Sequence, residues 1–188
     1  MKRIALLLPV LFLLAACSGP SYMLQKEGTM DIRTVKPVAG KSALVVARTT
    51  FVGFAIEFDT FLDYNMIGVT KGRGFFVKND VEPGVHYLIA RAESLETGKI
   101  DFKPDTVYYV QQTPRVGWWR ARITLTPVTA EHLMSEMDEK CVQMEYDAKN
   151  PGPRLTEHEY NEAVTDYERE ITEGYHKDFT DYRGFKVQ

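Results

Sequence analysis

The chain has 188 residues, a formal net charge of −3, 44% hydrophobic residues and two cysteines. That length suffices for one domain with a substantial core plus an extension, and two cysteines exclude a scaffold stapled by several disulfides. Charge is uneven: residues 18–129 carry 14 Lys or Arg against 11 Asp or Glu, whereas residues 130–188 carry 7 against 15, so no basic stripe is strong enough to hold a phosphate backbone and nucleic acid is excluded as a partner.

Lys2 and Arg3 precede an apolar stretch over 4–14 interrupted only by Pro9. It falls well short of the roughly 20 helical residues needed to cross a bilayer, which marks residues 1–16 as a removable export signal. Leu14-Ala15-Ala16-Cys17 follows and resembles the lipobox of bacterial lipoproteins. The resemblance implies cleavage before Cys17 and acylation of its sulfur, with two or three chains giving a durable anchor at about 0.8 kcal/mol per buried methylene. Ser18 rather than Asp after the cysteine implies, by the same resemblance, the periplasmic face of an outer membrane. With Cys17 acylated, Cys141 is the remaining thiol and no internal disulfide forms.

Residues 17–41 are expected to form the lipidated N-terminus and a polar tether, within which 30–35 can pair as an edge strand. Strand signals dominate 42–128. Ala43 to Ala47 is a short apolar run; Val52, Phe54, Ile56 and Phe58 alternate with smaller or polar residues; Asp63-Tyr64-Asn65 has turn chemistry; Phe75 to Val77 resumes a strand. Pro83-Gly84 turns into a strand over 85–92, Thr97-Gly98 reads as a break, Val107 to Val110 is extended, and 118–126 is the last strand. About seven strands at this spacing suggest a small antiparallel β-sandwich. In the acidic extension over 129–188 the period changes to that of two α-helices packed on or beside the sandwich. Thr129 caps the first, with Leu133, Met137, Cys141 and Met144 as its inward stripe. Thr156 with Glu159 forms a capping box for the second, whose stripe is Tyr160, Val164, Tyr167 and Ile171, with Gly174 as its stop. The aromatic tail from Tyr175 is expected to dock.

Asp63-Tyr-Asn, Ile67-Gly68, Gly74-x-Phe76, Pro83-Gly-Val-His86 and Thr106-Val-Tyr-Tyr109 occur in that order. Together they resemble a family of uncharacterised bacterial lipoprotein domains similar to PEGA-like or carboxypeptidase-regulatory-like β-sandwiches. The resemblance covers 41–131 and implies no catalytic residues. The acidic tail and Trp118-Trp119 lie outside its pattern.

No catalytic or metal-binding set stands out. His86, His132, His158 and His176 have no zinc spacing, no Ser sits in a Gly-x-Ser-x-Gly context, and nothing singles out a carboxylate pair. His86 reads as a hydrogen-bonded structural histidine and Cys141 as a small buried hydrophobe. One constellation points to binding. Trp118, Arg120, Arg122, Thr124 and Thr126 share one face of the last strand, while Trp119, Ala121, Ile123 and Leu125 share the other, core-facing side. Trp beside Arg is a hot-spot combination. This face either lies under the acidic helix, with Arg120 and Arg122 paired to its carboxylates, or is open to an external partner. The expectation is a non-enzymatic lipoprotein without cofactor or metal, held to membrane by acyl chains and contacting another envelope protein. The alternatives are a small-ligand or glycan-binding lipoprotein, using Trp118 or Tyr64 as a stacking surface, and, further off, an envelope hydrolase.

Overall fold

The computed structural model describes residues 22–26, 30–116, 121–147, 149–174, 179 and 181–187. In chain order it has β1 (Met23–Gln25), a 3-10 turn (Ile32–Thr34), β2 (Ser42–Arg48), β3 (Glu57–Leu62), β4 (Asn65–Lys71), β5 (Gly74–Val81), β6 (Gly84–Arg91), β7 (Leu95–Phe102), β8 (Thr106–Val116), β9 (Ala121–Val128), α1 (Ala130–Glu136), β10 (Val142–Tyr146), α2 (Glu157–Glu173) and β11 (Phe185–Lys186).

The molecule is mainly β, with two α-helices, as its periodicity indicates. Eleven strands are found among the described residues rather than about seven, and they are not all antiparallel. One sheet runs β1-β10-β5-β2-β8-β11 with β9 also on β8; the other runs β4-β3-β6-β7. In the first, β2 pairs parallel with β8, and β10 parallel with β5. Parallel neighbours need long crossovers; here the β2-to-β8 crossover contains the whole second sheet. The apolar run of β2 is explained by cover on both faces. Leu44 and Val46 join Phe58, Leu88, Ala90, Ile100 and Phe102 of the second sheet in one core. Ala43, Val45 and Ala47 pack on the other side with Ile32, Val35, Ala130 and Leu133.

Three local expectations fail, each for a tertiary reason. Residues 51–56, with a period-two pattern, form a loop instead of a strand, because the buried Arg48 side chain binds the carbonyls of Val52, Gly53 and Ile56. Thr97-Gly98 lies inside β7. A Cβ on Gly98 would come within 2.5 Å of the Phe179 ring, so this glycine marks close packing and not a turn; the break sits at residues 92–94, where Ala92 N–H donates to the Ser94 carbonyl. The helix read across Leu133 to Met144 stops at Glu136. Met137 has the extended ψ of 127°, Cys141 is buried just before β10, and Val142 to Met144 pair with Gly74 to Phe76 of β5. The 4-4-3 spacing of apolar residues there is not a helical face; the open side of β5 takes the segment as a strand.

The second helix forms as its sequence indicates. Thr156 and Glu159 complete a reciprocal capping box, and Gly174 closes α2 at φ 75°. Tyr167 and Ala163 are buried, with Tyr160, Val164 and Ile171 half-buried. From Tyr22 onward, the described part of the segment read as a tether packs on the body: Met23 is buried in β1, Ile32 lies in a 3-10 turn rather than an edge strand, and Val35 is buried beside it. The tail docks as expected. Phe179 is buried, the Tyr182 hydroxyl accepts from Tyr109 N–H at 2.8 Å and sits 2.9 Å from the Val128 carbonyl, and β11 pairs with the start of β8.

Candidate functional site

Arg48, the last residue of β2, is fully buried. Its guanidinium donates to Ile56 O at 2.8 Å, Val52 O at 2.7 Å and Gly53 O at 2.6 Å, and lies 4.2 Å from the centre of the Phe58 ring. It forms no ion pair among the described residues, and Nε has no acceptor there. Burial pulls its pKa down to about 10, which still leaves a cation at neutral pH. The loop it clamps is held further by Ile56 N–H to Gly53 O at 2.9 Å, by Val52 N–H to the Thr50 hydroxyl, and by the Thr49 hydroxyl on the Glu136 carboxylate. Gly53 adopts φ 66°, a conformation that favours glycine. On this fixed backbone Phe51, Val52 and Phe54 are 58%, 51% and 55% exposed, and the two Phe rings stack on each other at 4.8 Å. Sequence reasoning missed this feature. The signal was available in Gly53 at the centre of an apolar run that follows Thr49-Thr50.

Of the residues singled out from the sequence, Cys17, Trp118 and Arg120 lie outside the described residues, as do Trp119 and the whole of 1–16. Arg122 is described and exposed, directly across the β8–β9 ladder from the exposed Arg115. Ile123 and Leu125 are buried on the opposite side, as the alternation requires. Among the described residues no carboxylate of the acidic helix pairs with Arg122. The helix packs on the four-stranded sheet, where Glu159 bonds Arg91 at 3.0 Å and Glu168 takes both Lys99 and the Tyr87 hydroxyl at 2.7 Å. Among the described residues Arg91, itself 2.9 Å from Asp59 and stacked over Phe61, is thus the arginine that the sheet pairs with the helix. Like charges in register across an antiparallel pair destabilise it unless an anion intervenes, and neither Arg115 nor Arg122 has an ion pair among the described residues.

His86 bridges a turn and a strand end: Nδ1 lies 2.6 Å from the Asp63 carboxylate and Nε2 3.1 Å from the Glu82 carbonyl, while Asp63 also accepts from Tyr87 N–H. This is the structural role read from its sequence context. Tyr64 is half-buried and stacks on Tyr160 at 4.1 Å, so one face of its ring is covered by α2. Burial pushes the Cys141 thiol up to about 11. An open cleft of about 430 Å³ lies between residues 91–97 and α2, lined by Glu93, Glu96, Glu159, Glu162, Asp166 and Glu170. No group of three His, Cys, Asp or Glu among the described residues is placed to hold a metal ion, and no described helix is long and apolar enough to cross a membrane.

No protein-family model, curated protein or solved structure matches the chain.

Proposed function

We propose that the chain is a lipid-anchored lipoprotein of the cell envelope, on the periplasmic face of an outer membrane, whose body is a non-catalytic structural or protein-interaction module. In this reading the two sheets are a sandwich of the PEGA-like or carboxypeptidase-regulatory-like kind, carried by acyl chains on Cys17. The docking face is the polar side of β9, with Arg122 and the sequence neighbours Trp118 and Arg120, and the partner is another envelope protein presenting carboxylates. The observation that carries the reading is the exposed Arg115–Arg122 pair, in register and without a carboxylate partner among the described residues. An acidic side chain seated between two arginines relieves their repulsion and forms charge-assisted hydrogen bonds.

Two measurements test this. Mass spectrometry of protein taken from membranes should find an acylated N-terminal Cys17; an unmodified N-terminus elsewhere removes the anchor. A photo-crosslinker placed at residue 124, beside Arg122, should yield the same protein adduct repeatedly, and the adduct should vanish in Arg115→Glu/Arg122→Glu. Recovery of uncrosslinked protein alone, under several growth conditions, would refute the docking role.

A further inference from the structure

The loop over 49–56 combines three features. Its large side chains, Phe51, Val52 and Phe54, are apolar and more than half exposed. The carbonyls at its tip are taken up from inside by Arg48, and Val52 N–H by Thr50. Beneath it lies a buried cation without a carboxylate partner among the described residues. The first feature gives an apolar contact surface. The second lowers the cost of bringing the loop tip to a membrane interface, because backbone groups without partners cost several kcal/mol in an apolar medium. The third attracts negative charge. We propose that this loop makes a second, reversible contact with the lipid bilayer, its two phenylalanines seated at headgroup level among anionic phospholipids.

The position of the loop allows it. Arg48 pairs with Gly74, and Gly74 with Val142, so these three share one end of the sheet; the chain enters at Met23, which pairs with Tyr146. That entry point is displaced from the loop by about 13 Å along the strands and about 14 Å across three strand spacings. Six residues of extended chain between Cys17 and Met23 reach about 20 Å. An acyl anchor and the loop can therefore touch one bilayer with the body lying along it, and the anchor raises the loop's effective concentration at the surface. The inference rests on the lipoprotein reading for its compartment, while the loop contact has its own readout.

The test uses mature protein purified from membranes. Val52→Cys is labelled with nitrobenzoxadiazole, with Val38→Cys as the control position; Val38 is 47% exposed and bonded to Asn79 near the opposite end of the sheet. Cys141 is buried with a raised pKa and stays unlabelled, and the parent chain reports any label on Cys17. The vesicles are equal parts phosphatidylglycerol and phosphatidylcholine bearing a nitroxide on some acyl chains, compared with phosphatidylcholine alone. The expected result is a blue shift and about twofold quenching at residue 52 on the anionic vesicles, none at residue 38, and loss of the signal in Phe51→Ser/Phe54→Ser. Quenching is read before and after washing. Protein that washes away refutes the acyl anchor without touching the loop result. Protein retained but unquenched at residue 52, or quenched at residue 38 instead, overturns the loop contact and leaves the anchor standing.

Discussion

Replacing Arg48 by Met tests whether one buried cation organises the exposed loop. Three charge-assisted hydrogen bonds of 2.6–2.8 Å at about 2 kcal/mol each and a buried cation–π contact at 4.2 Å of about 2 kcal/mol stand against a desolvation cost of several kcal/mol. The difference is a net stabilisation of roughly 2–4 kcal/mol. Met matches the length of the stem and keeps packing on Phe58, so the loss falls on the polar network. Urea unfolding should show a lower midpoint at unchanged slope, by an amount equivalent to that difference. Amide exchange should show loss of protection at Ile56, whose N–H donates to Gly53 O inside the loop. Arg48→Lys should fall between, because one ammonium cannot span the carbonyls of Val52, Gly53 and Ile56. Unchanged or raised stability in Arg48→Met, with Ile56 still protected, would refute the account: the loop would then be held by its own turn geometry and the arginine merely tolerated.

Four further outcomes follow from the packing. Tyr182→Phe removes a hydroxyl that bridges Tyr109 and Val128 across β8 and β9; denaturation should show a loss of about 1–3 kcal/mol, with earlier proteolysis of the tail. Gly98→Ala drives a methyl into the Phe179 ring and should cost about 1–3 kcal/mol, again read by urea midpoint. Hydrogen bonds from Thr156, backbone first and then hydroxyl, with Arg91 beyond them, hold the Glu159 carboxyl below the usual carboxylate range. Its stabilisation is complete above the ordinary carboxylate pKa and is lost as pH falls through the lowered value, so Glu159→Gln should show a shallower loss of stability on acidification than wild type. Cys141, buried with its thiol at about 11, should resist Ellman's reagent in mildly alkaline buffer and react only on unfolding; prompt reaction of the native protein would contradict its burial.

Local physics made several elements legible before any fold was known. Thr156 and Glu159 satisfy each other's backbone groups within one turn, so a capping box can be read from four residues. Asp63, read as a turn residue, turns the chain at φ 52° because a short polar side chain tolerates that conformation. Ile123 and Leu125 face the core because alternation on a strand is set by the pleat. Residues 1–21, over which the sequence leads one to expect an export signal and a lipobox ending at Cys17, lie outside the described ones.

Long-range partners decided the rest. Met144 closes the 4-4-3 apolar spacing from Leu133 that reads as a helix, yet residues 142–146 became a strand because β5 offered an unpaired edge beside Gly74. Residues 51–56 alternate like a strand, and they became a loop because a guanidinium from β2 claimed their carbonyls. The acidic helix was free, on charge alone, to cover Arg122. It settled on Arg91 and Lys99 because Tyr87, Tyr160 and Tyr167 form an aromatic contact on the four-stranded sheet. Propensity and spacing act over a few residues, and so they specify where elements start, stop and face. Which edge, carbonyl or cation each element meets depends on chain segments tens of residues away, and that is settled only when the two sheets close on each other.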